Sequence, residues 1–553
     1  MSDSPVFNLN LSVQRNKMAE IHLLSANAPS DSFHQPQLDA LVTKPDGSSV
    51  TVPCFWDGGV SWGLRYASSE LGVHTFRTRC SDDDDTGLHD VSGEITVIPY
   101  SGDNPLYLHG PLEISENRRH FQYADGEPFF WLGDTWWMGM CKRLSPEGFR
   151  ALAEDRRRKG FTVIQIVAGL YPDMPAFDER GANEEGFPWE EDYRHIRPEY
   201  FRAADQRLLH LVESGLAPCL VGAWGYFMGW MGVERLKLHW RNLVARYGAL
   251  PIVWCVAGEA NLPYYLTEGF PFDDREQVKG WTEVARYVRE IDPFHRPLSI
   301  HPTGLGRLSA RGAIDDETLL DFDMLQTGHG LREVLPPTIR TVRDSRYSEP
   351  TMPVINSEVC YEALMDKIPA DIQRLMFWAC VLNGAAGHTY GANGIWQVNR
   401  RDLPHGASPH GGDYGHLPWD DAMNLPGSRQ LAMAKSLLTK YPWFEFEPHP
   451  EWAAYNQEGE RTDEDASDEI AKYEVPYAAG MPRRIRVIYA PRRKPIEVRG
   501  IESNAKYHVI RFDPASGESR EDGVLKSDSN GRCVLLPPEH GEEAWVVVLE
   551  IKN

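Results

Sequence analysis

Apolar and polar side chains alternate along the first hundred residues. Val6–Gln14 (VFNLNLSVQ) and Val91–Tyr100 (VSGEITVIPY) both read in–out with a period of two, and turn formers punctuate the chain at Asp46-Gly47 and Asp57-Gly58-Gly59. Alternation without a helical period predicts a small β-sandwich over 1–104. The acidic run Asp82–Asp85 reads as a solvated hairpin loop, and the turn-rich stretch Tyr100–Pro111 as a linker.

From 105 to 441 the pattern changes, because short apolar runs now alternate with amphipathic ones. Strands are predicted at Pro128–Gly133, Thr162–Ala168, Pro218–Ala223, Ile252–Ala257, Pro297–His301, Asp323–Gln326, Val354–Glu358 and Gly387–Tyr390. Helices are predicted between most of them: one capped by Ser145 with Pro146 in its first turn, ending near Gly160, then Gln206–Ser214, Glu234–Tyr247, Arg275–Ile291, Thr338–Tyr347 and Asp371–Leu382, with Ser428–Leu438 closing the set. Continuous apolar runs such as Thr162–Ala168 suit strands covered on both faces. Eight strands alternating with helices imply a (β/α)8 TIM barrel. A doubly wound sheet would carry a Gly-rich loop after its first strand, and LGDTWWMGM is not one. Beyond 442 the chain is β-rich again, with IRVIYA, YHVIRFDP and AWVVVLEIK as strands and Gly500, Gly517 and Gly531 as turns. A second β-sandwich over 442–553 follows, with the charged stretch Gln457–Asp468 as an exposed loop. The fold class is therefore α/β, a barrel flanked by two small sandwiches.

Catalytic groups of such a barrel sit where strands end. Two glutamates do so after apolar runs: Glu259 after IVWCVAG and Glu358 after MPVIN. A carboxylate closing a buried strand is costly unless it is hydrogen-bonded or used. Two at one mouth suit a retaining glycosidase, whose nucleophile and acid/base stand ~5–5.5 Å apart. Trp136, Trp137 and Trp224 stand at strand ends, placed to stack on sugar rings, with Trp396 slightly beyond the last strand, and Gln165, His301, Gln326, His329 and Tyr390 are placed to hydrogen-bond hydroxyls. Each of these side chains could instead serve packing. A catalytically inactive carbohydrate-binding barrel and a metal-dependent isomerase or lyase stay open as alternatives. The His-rich stretch 405–416 has the glycine content of a loop and no zinc spacing, so no metal site is expected. No G-x-S-x-G elbow occurs, and no cofactor is called for.

Composition narrows the partners. Across 553 residues, 57 Lys+Arg against 80 Asp+Glu leave a formal charge of −23, which repels nucleic acid and anionic membranes. The basic runs Arg156–Lys159 and Arg492–Lys494 are short enough to be solvated faces. No stretch is long and apolar enough for a ~20-residue span, and the start of the chain has no basic-then-apolar leader. Eight scattered cysteines without a CxxC pair read as free thiols. The expectation is a cytoplasmic protein acting on a small carbohydrate, with flanking sandwiches offering surfaces for a homo-oligomer.

The strings FFWLGDTWW, VWCVAGEAN, MPVINSEVCYE and HTYGANGIWQ resemble the apiosidase-like glycoside hydrolases, retaining barrel enzymes with glutamates on strands 4 and 7. CFWDGGVSWGLRYASSELGVHTFRT is similar to the sandwich that often precedes such barrels, and the tail opening with YPWFEFEPHP to the one that follows them. The resemblance implies Glu259 as acid/base, Glu358 as nucleophile, and Asp134 with Trp136 as sugar-binding residues. One position departs from it. The clan usually carries Asn before the acid/base, bonding the sugar's 2-hydroxyl, and here Gly258 stands there, with Asn261 as the nearest substitute. An unusual 2-position is then expected, as in a furanose or ketose. Small plant- or microbe-derived glycosides or oligosaccharides cleaved from the end fit best: apiose or arabinose conjugates, rhamnogalacturonan fragments or fructose-containing saccharides.

Overall fold

A computed structural model describes residues 9–27, 31, 33–268, 273–456, 469–502 and 505–551, so the expected loop at Gln457–Asp468 lies outside the described residues. Its centre is a parallel eight-stranded sheet: β1 Trp131–Trp136, β2 Val163–Val167, β3 Ala217–Val221, β4 Val253–Cys255, β5 Leu298–Ser299, β6 Asp323–Gly328, β7 Val354–Val359 and β8 Gly387–Tyr390. Hydrogen-bonded neighbours run β5-β4-β3-β2-β1-β8-β7-β6. The seam between β5 and β6 is bridged by Asp321, whose N–H donates to the Leu298 carbonyl and whose carboxylate accepts from the Leu298 N–H, each at 2.9 Å.

Around the strands lie α1 Pro146–Lys159, α2 Pro198–Glu213, α3 Phe227–Tyr247, α4 Arg275–Ile291, α5 Leu335–Tyr347, α6 Ala370–Leu382 and α7 Pro426–Leu438. Local chemistry sets their ends. Ser145 Oγ accepts from Gly148 N at 3.1 Å with Pro146 at N1, and Gly160 ends α1 at φ +88°. After β5 there is no helix, only 3-10 turns at Ala310–Gly312 and Glu317–Leu319.

Strand β1 begins three residues later than its apolar run suggested. Pro128–Phe129 instead pairs with Phe121–Tyr123, which pairs with Leu112–Ile114, and Phe121 packs its ring against Trp131 and Phe322 beneath the barrel. The strand also runs three residues further, through Trp136, so Asp134 and Trp136 lie within it rather than past its end, and share one of its two alternating faces. Asp134 and Trp136 face α1. Asp134 Oδ2 accepts from Arg156 Nε and from Trp136 Nε1, each at 2.6 Å, and Trp136 packs edge-on against Phe149. Arg156 is therefore buried, contrary to the solvated-face expectation, and Lys159 is anchored on Asp155, Ser428 and the Met423 carbonyl. Only Arg157 and Arg158 of that run lie on the surface.

The N-terminal region forms a five-stranded sheet (Asn10–Gln14, Ser92–Ile98, Gly72–Cys80, Leu38–Thr43, Ser49–Pro53) facing a three-stranded one (Ala19–Leu24, Ser61–Tyr66, Phe55–Trp56). Leu38, Val42, Leu64, Phe76 and Ile95 fill the space between them. Asp83 and Asp84 are exposed as expected, but Asp85 is buried and accepts from the Ala26 and Gly87 N–H groups. Nor is 100–111 a free linker: Asn104 caps a helical turn at Pro105–Leu108, and Tyr107 donates to Glu213 on α2. Across the contact with the barrel, Asp205 of α2 accepts from Arg65 at 2.5 Å and from Arg246 of α3 at 3.3 Å.

Toward the C-terminus a six-stranded sheet packs one face on the barrel and the other on a three-stranded sheet. Ile485–Ala490 (IRVIYA) is buried throughout because both of its faces are covered. Tyr489 stacks on Trp378 of α6 at 5.7 Å, while Arg486 lies 4.2 Å over Trp452 on the other side. Among the described residues no helix is long and apolar enough to cross a membrane, and all eight cysteines are free thiols, seven of them buried.

If Asp134 is structural, Asp134→Ala strands the Arg156 guanidinium. Stability should fall by ~3–5 kcal/mol in denaturant melts, with KM unchanged for the protein that remains folded. A raised KM at unchanged stability would return Asp134 to the substrate.

Candidate active site

Strand β4 leads to Glu259, which sits at φ +41°, a conformation costing a non-glycine residue ~1–3 kcal/mol. Its surroundings hold it there. The turn Trp224-Gly225 after β3 lies flat against Gly258-Glu259, with Gly225 N–H donating to the Gly258 carbonyl at 2.7 Å. A Cβ on Gly225 would stand 2.1 Å from the Glu259 carbonyl oxygen, and one on Gly258 would stand 2.3 Å from the Trp224 ring. Gly258 is thus required, because the Trp224 indole fills the space that a side chain there would need. Trp224 Nε1 donates to Glu259 Oε2 at 3.1 Å.

Glu358 reaches the mouth through a β-bulge. Leu325 of β6 pairs with Asn356 of β7, but Gln326 pairs with Glu358, so Ser357 is an extra residue on β7. In a regular strand Glu358 would share the side of Asn356, which faces α6 and donates to Cys380 Sγ at 3.3 Å. The extra residue turns Glu358 inward beside Gln326.

Gln326 joins the two carboxylates. Its Nε2 donates to Glu259 Oε1 at 2.8 Å and to Glu358 Oε1 at 3.1 Å. Those oxygens therefore cannot be more than about 6 Å apart, close to the ~5–5.5 Å of paired catalytic carboxyls. His329 Nε2–H also donates to Glu358 Oε1, at 2.8 Å. Glu358 Oε2 accepts no hydrogen bond and lies 3.4 Å from His301 Nε2.

These environments push the two acids apart. Burial, followed by the negative charge of Glu358, raises Glu259 to about 8, against the opposing pull of the Gln326 and Trp224 donors. Glu358 goes the other way. Burial acts upward on it too, but the His329 hydrogen bond, the His329 and His301 imidazoles and the Tyr361 hydroxyl together hold it below its ordinary value. A third carboxyl, Asp173, follows β2 and is raised by burial to about 6 while accepting from Tyr414 at 3.0 Å.

The cavity above this pair measures about 400 Å³, and Glu259, Glu358, Trp137, Trp224, His329 and Trp396 line it. Gln326 and His301 stand behind the carboxylates. The remaining sequence candidates are elsewhere. Asp134 and Trp136 face α1, and Tyr390 also points outward, donating to Glu362 at 2.6 Å. Gln165 is buried in the barrel interior between Ser357 and Thr389, and Asn261 turns to the Ala313 carbonyl at 3.4 Å. Asn261 therefore does not take the place of the missing Asn.

Several lining residues escaped the sequence reading: Asp173, Tyr264, Tyr265, Tyr361, His410 and Tyr414. Tyr361 is three residues past Glu358 and could have been found by extending the strand-end search. His410 and Tyr414 lie in the Gly-rich stretch 405–416, which is a loop as expected but one that folds over the pocket, with His410 stacked on Tyr265 at 5.4 Å.

Comparison with known proteins agrees with this architecture. The family described as "Apiosidase-like, catalytic domain" matches residues 115–445, and a domain of unknown function matches 12–81. No curated protein matches the chain. Among solved structures, a glycoside hydrolase superposes with a TM-score of 0.64 at 23% identity, covering 82% of this chain and 99% of its own. A family 5 glycoside hydrolase from Bacteroides vulgatus gives 0.67 at 22% identity, covering 82% and 96%. A candidate glycoside hydrolase from the same organism gives 0.66 at 16% identity, covering 98% of this chain and all of its own, flanking sheets included. With a barrel of this kind and a family match over most of its length, the chain belongs to the apiosidase-like glycoside hydrolases.

Proposed function

We propose that the protein is a retaining glycoside hydrolase that removes a terminal sugar from small glycosides or oligosaccharides, with Glu358 as nucleophile and Glu259 as acid/base. The observation that carries this reading is the single Gln326 amide hydrogen-bonded to both carboxylates. That spacing leaves no room for a water between the carboxyls, which an inverting pair at ~6.5–9.5 Å needs. The raised Glu259 can hold the proton that the leaving oxygen takes, and the lowered Glu358 is ionised and available for attack on the anomeric carbon. Once the glycosyl-enzyme forms, Glu358 carries no charge, Glu259 becomes more acidic, and it can deprotonate the incoming water.

Pocket shape supports the substrate side. A cavity of about 400 Å³, closed by Trp224, Trp396 and the tyrosines, suits the end of a saccharide rather than a long chain. With Gly258 under the Trp224 indole, an apolar ring stands where the clan usually presents an amide. This favours a sugar whose hydroxyl at that position is absent or turned away, such as a furanoside. A panel of aryl pyranosides and furanosides should show turnover concentrated on the furanosides.

Role assignment predicts asymmetric rescue. Glu358→Ala should lose activity on every substrate and regain it with azide, giving inverted product. Glu259→Ala should keep attack on substrates with good leaving groups, and azide should give retained product. The opposite pattern reverses the roles, and a loss below ~10-fold in both, about 1.4 kcal/mol of barrier, removes the reading altogether.

The pH profile of kcat/KM should be bell-shaped. Activity requires Glu259 protonated and Glu358 ionised, so the alkaline limb falls near pH 8 and the acid limb lies below the usual carboxylate range. Trp224→Phe deletes a donor that favours the charged form of Glu259, so its alkaline limb should move to higher pH. A limb that stays put would detach Trp224 from the acid/base.

A further inference from the structure

A second group of chemically competent side chains lies away from the catalytic cavity, where the N-terminal sandwich meets the segment between β2 and α2. Asp31 Oδ1 is 2.9 Å from His34 Nδ1 and 3.3 Å from His195 Nε2. One carboxylate oxygen and two imidazole nitrogens, all half-buried, come within 4.8 Å of one another. In a tetrahedral site with bonds of ~2.0–2.2 Å, neighbouring ligand atoms are roughly 3.3 Å apart, a spacing that Asp31 and His195 match, while His34 Nδ1 stands closer, 2.9 and 3.0 Å from the two Asp31 oxygens.

The far side of His195 is also arranged. Its Nδ1 is 2.9 Å from Glu190 Oε2, an acceptor that places the ring proton on Nδ1. With that proton on Nδ1, Nε2 faces the Asp31 oxygen at 3.3 Å, a contact that either a second ring proton or a bound cation satisfies. A carboxylate that orients a histidine in this way accompanies most metal-ligating histidines. Phe33 closes the site on one flank, edge-on to His34 at 5.0 Å and to Trp189 at 5.5 Å.

We propose that Asp31, His34 and His195 bind one divalent transition-metal ion, with Glu190 orienting His195. Two imidazoles and one carboxylate are the donor set of Zn²⁺ and its neighbours rather than of Ca²⁺ or Mg²⁺, which take oxygen ligands. Three protein ligands leave the fourth position to water. The ion would join the N-terminal sandwich to the β2–α2 segment, the same segment that carries Asp173 into the cavity. Its place is structural, since none of its ligands lines the catalytic cavity.

The test uses the full chain, stripped with chelator and titrated with Zn²⁺ by calorimetry and with Co²⁺ by visible absorption. One Zn²⁺ per chain, the intense ligand-field bands of tetrahedral Co²⁺ and a higher Tm with metal are expected. His34→Ala and His195→Ala should abolish all three while melting like the metal-free parent, and Glu190→Gln should weaken binding by ~10–100-fold. Absence of stoichiometric binding, or binding that survives His195→Ala, overturns the proposal. His195 would then be an imidazolium held between Asp31 and Glu190.

Discussion

Two carboxylates held within reach of one amide nitrogen are the constraint around which the barrel mouth is built. Placing Glu259 and Glu358 this close raises the cost of ionising both, and the protein resolves it by giving the donors unequally. Glu358 receives His329 in addition to Gln326, with His301 and Tyr361 nearby, so the negative charge settles there. Glu259 receives the neutral Gln326 and Trp224 donors, and burial beside Glu358 raises it to about 8. One pair of identical residue types thereby acquires opposite proton affinities from its surroundings alone.

Holding that arrangement requires departures from regular geometry. Glu259 adopts a left-handed backbone, Gly225 and Gly258 give up side chains so that two loops can touch, and Ser357 is inserted to aim Glu358. Each lowers the stability of its own segment by a modest amount, offset by the fully buried strands beneath. The substitution of an indole for a side chain at 258 joins both themes: Trp224 supplies a donor to Glu259 and also lines the cavity.

The flanking sheets are not appendages. Asp205 lies between Arg65 of the N-terminal sheet and Arg246 of α3, and the C-terminal sheet shares a continuous apolar core with α6. Buried charges of this kind are costly to break, since the partner left behind has neither water nor counter-charge. Separation of these parts would expose both, which favours their moving as one with the loops that roof the pocket.

Much of this was legible in order along the chain. Apolar runs long enough to be buried on both faces, separated by capped amphipathic helices, determine eight strands and their sequence, and the bounds at Arg275–Ile291 and Gly387–Tyr390 coincide with the structure. A glutamate after each of two such runs identifies the carboxylate pair, because a charge at the end of a buried strand has few other uses. What the sequence could not carry was side-chain direction. PFFWLGDTWW is apolar with no period to place the strand ends, and because the strand runs on to Trp136, Asp134 and Trp136 lie within it facing α1 rather than at the mouth. A single inserted residue on β7 is likewise silent in sequence, since strand facing follows parity and parity depends on pairing with another strand. Asp173, His410 and Tyr414 reach the pocket from loops whose residues have no local reason to be there. Local patterning fixes where elements form. Only the packing of distant segments decides which of their side chains meet.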